Sequence, residues 1–185
     1  MKKKIVIINY GYGNIFSLKS ALHCLGYDPL LTNNPEDVCK VDIIILPGVG
    51  AYRQAMKALL NINMDEAISI VLKKGGILIG ICLGYQMLFE TSDEFGSTKG
   101  LGLLKGKVVK LDYFNNSTNI IPNVGWFQLM NKEKNNYKLT DNIVYFVHSF
   151  VPIAKDLDLV SSFINYGNGV LHASIDTGQI IGFQF

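Results

Sequence analysis

Cysteine is scarce in this chain: Cys24, Cys39 and Cys82 are the three in 185 residues, and none forms a C-x-x-C spacing. That excludes a disulfide framework or a cysteine-ligated zinc site as the basis of the fold and fits a reducing compartment. Long apolar runs are missing as well, since no stretch approaches the ~18 residues of a membrane helix. The basic start Met1-Lys2-Lys3-Lys4 leads only into Ile5–Ile8, too short for the core of a secretory signal. Charge of one sign is equally sparse. The net charge of +2 is spread along the sequence, with no basic cluster interleaved with aromatics, so neither nucleic acid nor membrane is an expected partner. Repeats and linkers are absent, and 49% of the residues are hydrophobic, enough to bury a core. The expectation is one cytoplasmic domain over 1–185, with no metal and no cofactor.

What is present is an alternation. KKIVIINY reads as a strand, Asn14 to Leu25 as a helix with apolar residues at Ile15, Leu18, Ala21, Leu22 and Leu25, and Gly26 as its stop. A short strand at Pro29 to Thr32 and a buried one at Val41 to Gly48 follow. Tyr52 to Leu60 and Met64 to Lys73 read as helices, GGILIGI as a strand, and Leu83 or Gly84 to about Glu90 as a helix. Strands alternating with helices predict an α/β fold with a central, mostly parallel sheet covered by helices. Beyond Gly96 the strands GLLKGKVVKL, IIPNVGWFQL, NIVYFVHSFV, DLVSSFINYG, GVLHASIDTG and QIIGFQF predict a largely antiparallel extension. Asn115 to Asn119 and Asn131 to Asn136 read as polar loops.

Ligands in open α/β sheets bind beyond the carboxyl ends of strands. Two such ends are rich in glycine, LPGVGAY at Leu46 to Tyr52 and GICLGYQ at Gly80 to Gln86. G-x-C-x-G after a buried strand is the thiol counterpart of a nucleophile elbow, and a helix N-terminus beside Cys82 is expected to favour its thiolate. Backbone N–H groups there and in LPGVG are candidates for holding an oxyanion. A free cysteine is most often packing, and Cys24, inside a helix, and Cys39, with no glycine turn, keep that reading. The two glycines and the preceding strand set Cys82 apart.

The pair LPGVGAY and GICLGYQMLFE, together with GNIFSLKSALHCLGY, GLGLLKGKVVKL, IPNVGW and YFVHSF, resembles the glutaminase subunits of imidazole glycerol phosphate synthase, the HisH family of class I (triad) glutamine amidotransferases. The similarity runs through nearly the whole chain in order and implies a flavodoxin-like amidotransferase fold. It also implies that Cys82 attacks the amide of glutamine, forming a thioester and releasing ammonia. The resemblance assigns an oxyanion hole to Val49, Gly50 and Leu83, and substrate binding to Gly48, Gln86, Glu94, His148, Ser149 and Phe150, with Glu94 facing the ammonium. It implies a (β/α)8-barrel cyclase partner of the HisF type that receives the ammonia, as a heterodimer, with Trp126 and Tyr12 as candidate anchors. Trp126 reads equally well as a core residue.

The base is where the sequence departs from the family. Class I members carry a His-Pro-Glu segment directly after a strand like GFQF, and the 185 residues end at Phe185. Either that segment follows in the native chain, or the protein is a triad-deficient scaffold. Of the three histidines, His23 reads as a surface residue and His172 as a structural one within a strand. His148 falls in the site, but the resemblance puts it beside the substrate and not in the role of base. Asn123 and Phe127 stand where many relatives carry His and Asn, which leaves open a paralogue feeding ammonia to sugar amidation in surface-glycan synthesis. Strand-elbow cysteines also serve stress-protein and protease-like families, a rival from outside the amidotransferases.

Overall fold

The computed structural model describes residues 3–114, 120–132, 143–167 and 169–185. The first half winds β1 (Ile5–Ile8), α1 (Ile15–Cys24), β2 (Leu30–Thr32), α2 (Pro35–Val38), β3 (Ile43–Leu46), α3 (Tyr52–Asn61), α4 (Met64–Lys73), β4 (Ile77–Ile81) and α5 (Leu83–Gln86). Strands dominate the rest: β5 (Phe89–Ser92), β6 (Thr98–Lys99), β7 (Leu104–Lys110), β8 (Asn123–Gln128), β9 (Met130–Asn131), β10 (Ile143–His148), β11 (Phe150–Ala154), β12 (Val160–Tyr166), β13 (Gly169–Asp176) and β14 (Ile180–Phe183). Among the described residues the main sheet has the order β2-β1-β3-β4-β14-β13-β12-β9.

The expected parallel core is there: β1 and β3 are short, mostly β-branched runs buried on both faces, and β4 between β3 and β14 buries Leu78 and Gly80 with its alternate isoleucines half-buried. α3 buries Tyr52, Ala55, Met56 and Leu59, and α4 buries Met64, Ala67, Ile68 and Val71, the i, i+3, i+4, i+7 spacing of one helical face. α1 is looser than its pattern suggests. Ile15, Leu18 and Leu22 are half-buried, while Ala21 and Leu25 are exposed.

The helix expected to run from Leu83 or Gly84 to about Glu90 stops at Gln86, and Phe89 begins a strand. Phe89 is fully buried, and the Glu90 carboxylate accepts from the Gly106 N–H at 2.9 Å and from Lys105 and Lys155, which ties this segment to β7. The antiparallel extension is also more divided than expected. β13, β12 and β9 extend the main sheet antiparallel, but β14 enters parallel to β4 with Gly182 opposite Gly80. β11-β7-β5-β6 form a second sheet and β8–β10 a third. Of the predicted loops, Asn131 instead pairs with Ser162 in β9, while 115–119 and 133–136 lie outside the described residues.

The β8–β10 ribbon packs its inner face, with Phe146 and Phe127, on a second apolar cluster that includes Val109, Leu129, Ile164 and Leu171. Tyr145 lies opposite Trp126 and Val147 opposite Val124 on the outer face. Period-2 alternation thus leaves Val124, Trp126, Ile143, Tyr145 and Val147 exposed, with Trp126 71% accessible. Trp126 therefore is not core.

Candidate active site

Cys82 follows β4 at φ 53° and ψ −116°, a conformation that side chains rarely adopt. Its N–H donates to the Phe183 carbonyl at 2.7 Å, so β14 holds the turn from the side. The flanking glycines have a reason other than backbone freedom. A Cβ on Gly84 would lie 2.0 Å from the Leu46 carbonyl oxygen, and one on Gly80 2.8 Å from Tyr85 Cα. A Cβ on Gly48 would lie 2.3 Å from Gly84 N. Glycines on both sides let the 47–50 loop press directly onto the start of α5. A strained residue at a strand-to-helix turn is how a fold presents a nucleophile.

A cavity of about 540 Å³ opens at this turn, lined by Val49, Gly50, Cys82, Leu83, Gln86, Glu94, Phe95, Pro122, Val147, His148, Ser149 and Phe150. Every site residue expected from the sequence lines it except Gly48, which lies behind its wall against Gly84. Phe95, Pro122 and Val147 were not expected. No local pattern marks them, because they reach the cavity from three separate segments. Glu94 caps α3, accepting from the Tyr52 N–H at 2.7 Å. Gln86 Nε2 donates to the Phe150 carbonyl at 3.1 Å and to Gln184 Oε1 at 2.7 Å.

Electrostatics correct one expectation. Burial pushes the Cys82 thiol up, against the smaller lowering effects of the Leu83 N–H, Gln184 and Phe185, so the thiolate is not favoured as the helix N-terminus alone implied. α5 spans four residues, too short to outweigh desolvation of the sulfur. His148 is pushed down to about 4, by burial first, and is neutral. Its Nδ1–H donates to the Phe150 carbonyl at 2.9 Å, which leaves Nε2 to accept from Asn123 Nδ2 at 3.0 Å. With both ring nitrogens engaged, His148 is a fixed wall of the site and not a free base. His23 pairs with Asp28 at the surface, and His172 lies within β13. Cys24 is exposed and Cys39 packs beside the core. Among the described residues no cluster of His, Cys, Asp and Glu could hold a metal ion, and no helix is long and apolar enough to cross a membrane.

A strained cysteine facing a cavity with a carboxylate and a glycine-rich loop suits attack on a polar carbonyl compound bearing a cationic group. Residues 4–124 match the model of the CobB/CobQ-like glutamine amidotransferase domain. The chain is 39% identical over 185 residues to the imidazole glycerol phosphate synthase subunit HisH of Prochlorococcus marinus (strain MIT 9312), covering 98% of this chain and 89% of the relative. It belongs to the HisH family of class I glutamine amidotransferases.

The HisH of Aquifex aeolicus is 37% identical over 186 residues, covering 98% of this chain and 87% of the relative. In fold the chain is similar to a crystal structure of a glutamine amidotransferase at a TM-score of 0.70 and 18% identity, covering 96% of this chain and 87% of that one. PurLQS from Thermotoga maritima matches at a TM-score of 0.69 and 20% identity, covering all of this chain and 87% of that one. The stress-protein and protease-like alternative is thereby set aside. The HisH relatives are named as subunits, so the family works within a synthase complex.

Proposed function

We infer that this chain is the glutaminase subunit of an imidazole glycerol phosphate synthase, in histidine biosynthesis. The observation that carries the reading is Cys82, held at positive φ on the floor of a cavity it shares with Glu94, Gln86 and the 147–150 segment. Glutamine binds with its ammonium toward Glu94 and its side-chain amide over the sulfur. The Cys82 sulfur attacks the amide carbon, and the oxyanion is held by the Leu83 N–H and by N–H groups of the Val49–Gly50 loop. The C–N bond then breaks, a proton goes to the leaving nitrogen, and ammonia departs. Water cleaves the thioester to glutamate and restores the thiol.

The proton needs a carrier. Phe185 O lies 3.6 Å from Cys82 Sγ, so any residue placed after Phe185 would start beside the thiol. A His-Pro-Glu segment there would supply the base and its orienting carboxylate. The partner is a HisF-type (β/α)8 barrel. Its docking face is the outer side of β8–β10, because Val147 belongs both to that apolar face and to the cavity lining, which gives ammonia a short path between them.

Partner-stimulated glutaminase activity, measured for the 185-residue chain and for the chain extended by His-Pro-Glu, tests the reading. General acid–base assistance is worth about 10²–10⁴-fold, so the extended form should exceed the short one by that order. Cys82→Ser should abolish activity in the extended form. Retained activity in Cys82→Ser would overturn the nucleophile; equal inactivity of both lengths would favour a scaffold.

A further inference from the structure

Gln184 lies just beyond β14, is 1% exposed and does not line the cavity, yet its carboxamide reaches the sulfur from behind. Gln184 Nε2 is 3.7 Å from Cys82 Sγ and 3.2 Å from the Phe185 carbonyl. The direction of this amide follows from its neighbours. The Phe150 carbonyl can only accept, which fixes Gln86 with Nε2 toward it, at 3.1 Å. Gln86 Nε2 is also 2.7 Å from the Gln184 carboxamide, which must present its oxygen there and therefore its NH₂ to the sulfur. Reversing Gln184 would set two donors against each other and two acceptors against each other. His148 Nδ1–H anchors the same Phe150 carbonyl from the other side.

We propose that Gln184 is a second catalytic residue, donating a hydrogen bond to the Cys82 sulfur that stabilises it as the thiolate and aims it into the cavity, with Gln86 and the Phe150 carbonyl fixing the donor's direction. The proposal rests on Cys82 being the nucleophile. An amide serves where a cation would not: it stabilises charge on sulfur without titrating and without competing for the proton that must reach the leaving ammonia. The thiol needs such a donor, since burial disfavours its charged form. The titratable groups around it give no cationic help. Tyr10 hydrogen-bonds the Pro47 carbonyl, Tyr12 stacks on Tyr10, Glu94 is acidic, Phe185, whose O lies 3.6 Å from the sulfur, carries the α-carboxylate of the 185-residue chain, and His148 is neutral.

The test is the pH dependence of Cys82 alkylation by iodoacetamide in the 185-residue chain, read by mass spectrometry with exposed Cys24 as internal reference. Gln184→Met and Gln184→Leu both remove the donor without placing a charge beside the sulfur, Met at similar volume. Hydrogen bonds to charged groups are strong enough that Cys82 labelling at neutral pH should fall by about tenfold relative to Cys24, with its midpoint moved to higher pH. Gln184→Leu decides the matter should Gln184→Met fail to fold. A Cys82/Cys24 ratio within twofold of the parent, or a fall in rate with an unmoved midpoint, would overturn the proposal. Failure of the underlying reading is separate, because it appears as glutaminase activity surviving Cys82→Ser.

Discussion

At Cys82 the backbone conformation favours glycine, and at His148 burial holds an imidazole neutral. The first carries a stability cost, since backbone strain of this kind is worth on the order of 1–3 kcal/mol. Cys82→Gly should therefore be more stable than Cys82→Ala by about 1 kcal/mol, after allowing for the flexibility glycine adds to the unfolded chain. Urea unfolding of the two variants measures it, and an alanine variant at least as stable would show that the turn is relaxed. The second has a pH signature. His148 titrates near 6.5 when unfolded and about 4 when folded, so the unfolded chain binds the extra proton between those values. Stability should be complete above about pH 6.5 and fall as the pH drops toward 4, by roughly 3 kcal/mol from this residue. His148→Gln should flatten that part of the pH profile of the unfolding midpoint. His172, also pushed down by burial, is present in both proteins and cancels from the difference.

At the scale of elements, the ribbon β8–β10 separates two jobs by alternation. Asn123 and His148 face inward, paired across the ribbon, while Trp126 and Tyr145 meet edge-on outside at 5.3 Å. A tryptophan left so exposed beside Val124, Val147 and Ile143 is suited to act as an interface anchor, the residue type that carries a large share of binding energy. Trp126→Ala should leave the unfolding free energy of the isolated chain within about 0.5 kcal/mol, as for surface changes in general. The same variant should weaken binding to the barrel by at least tenfold, about 1.4 kcal/mol. Isothermal titration against the barrel subunit reads the effect. An unfolded variant, or unchanged affinity, would move the docking face elsewhere.

For the whole molecule, the candidate site exists only because three sheets meet. The main sheet brings the Cys82 turn and the end of β14, the second sheet brings Phe150 and the segment after β5, and the ribbon brings Val147 and His148. The apolar outer face of the ribbon is continuous with the cavity through Val147, which is both exposed on that face and part of the cavity lining.

The parallel core, the amphipathic helices α3 and α4 and the elbow are legible in the chain because each is a local pattern: buried apolar runs, a 3.6-residue repeat, and glycines on both sides of Cys82. The sequence also carried the family, through motifs spread along nearly the full chain. Tertiary structure alone decided the rest. Phe89 leaves the helix pattern for a strand because β7 offers its edge, and β14 lies parallel to β4 although its neighbours run antiparallel. The purpose of the elbow glycines, close approach of Leu46 and Gly48 to Gly84, is invisible without neighbours in space. The thiol was expected low from a helix terminus and stands high because desolvation depends on everything packed around the sulfur. Gln184 gave no signal in the sequence at all. Its role arises from contacts with residues 98 and 102 positions away, and hydrogen-bond direction in a buried network is a property of the assembled fold.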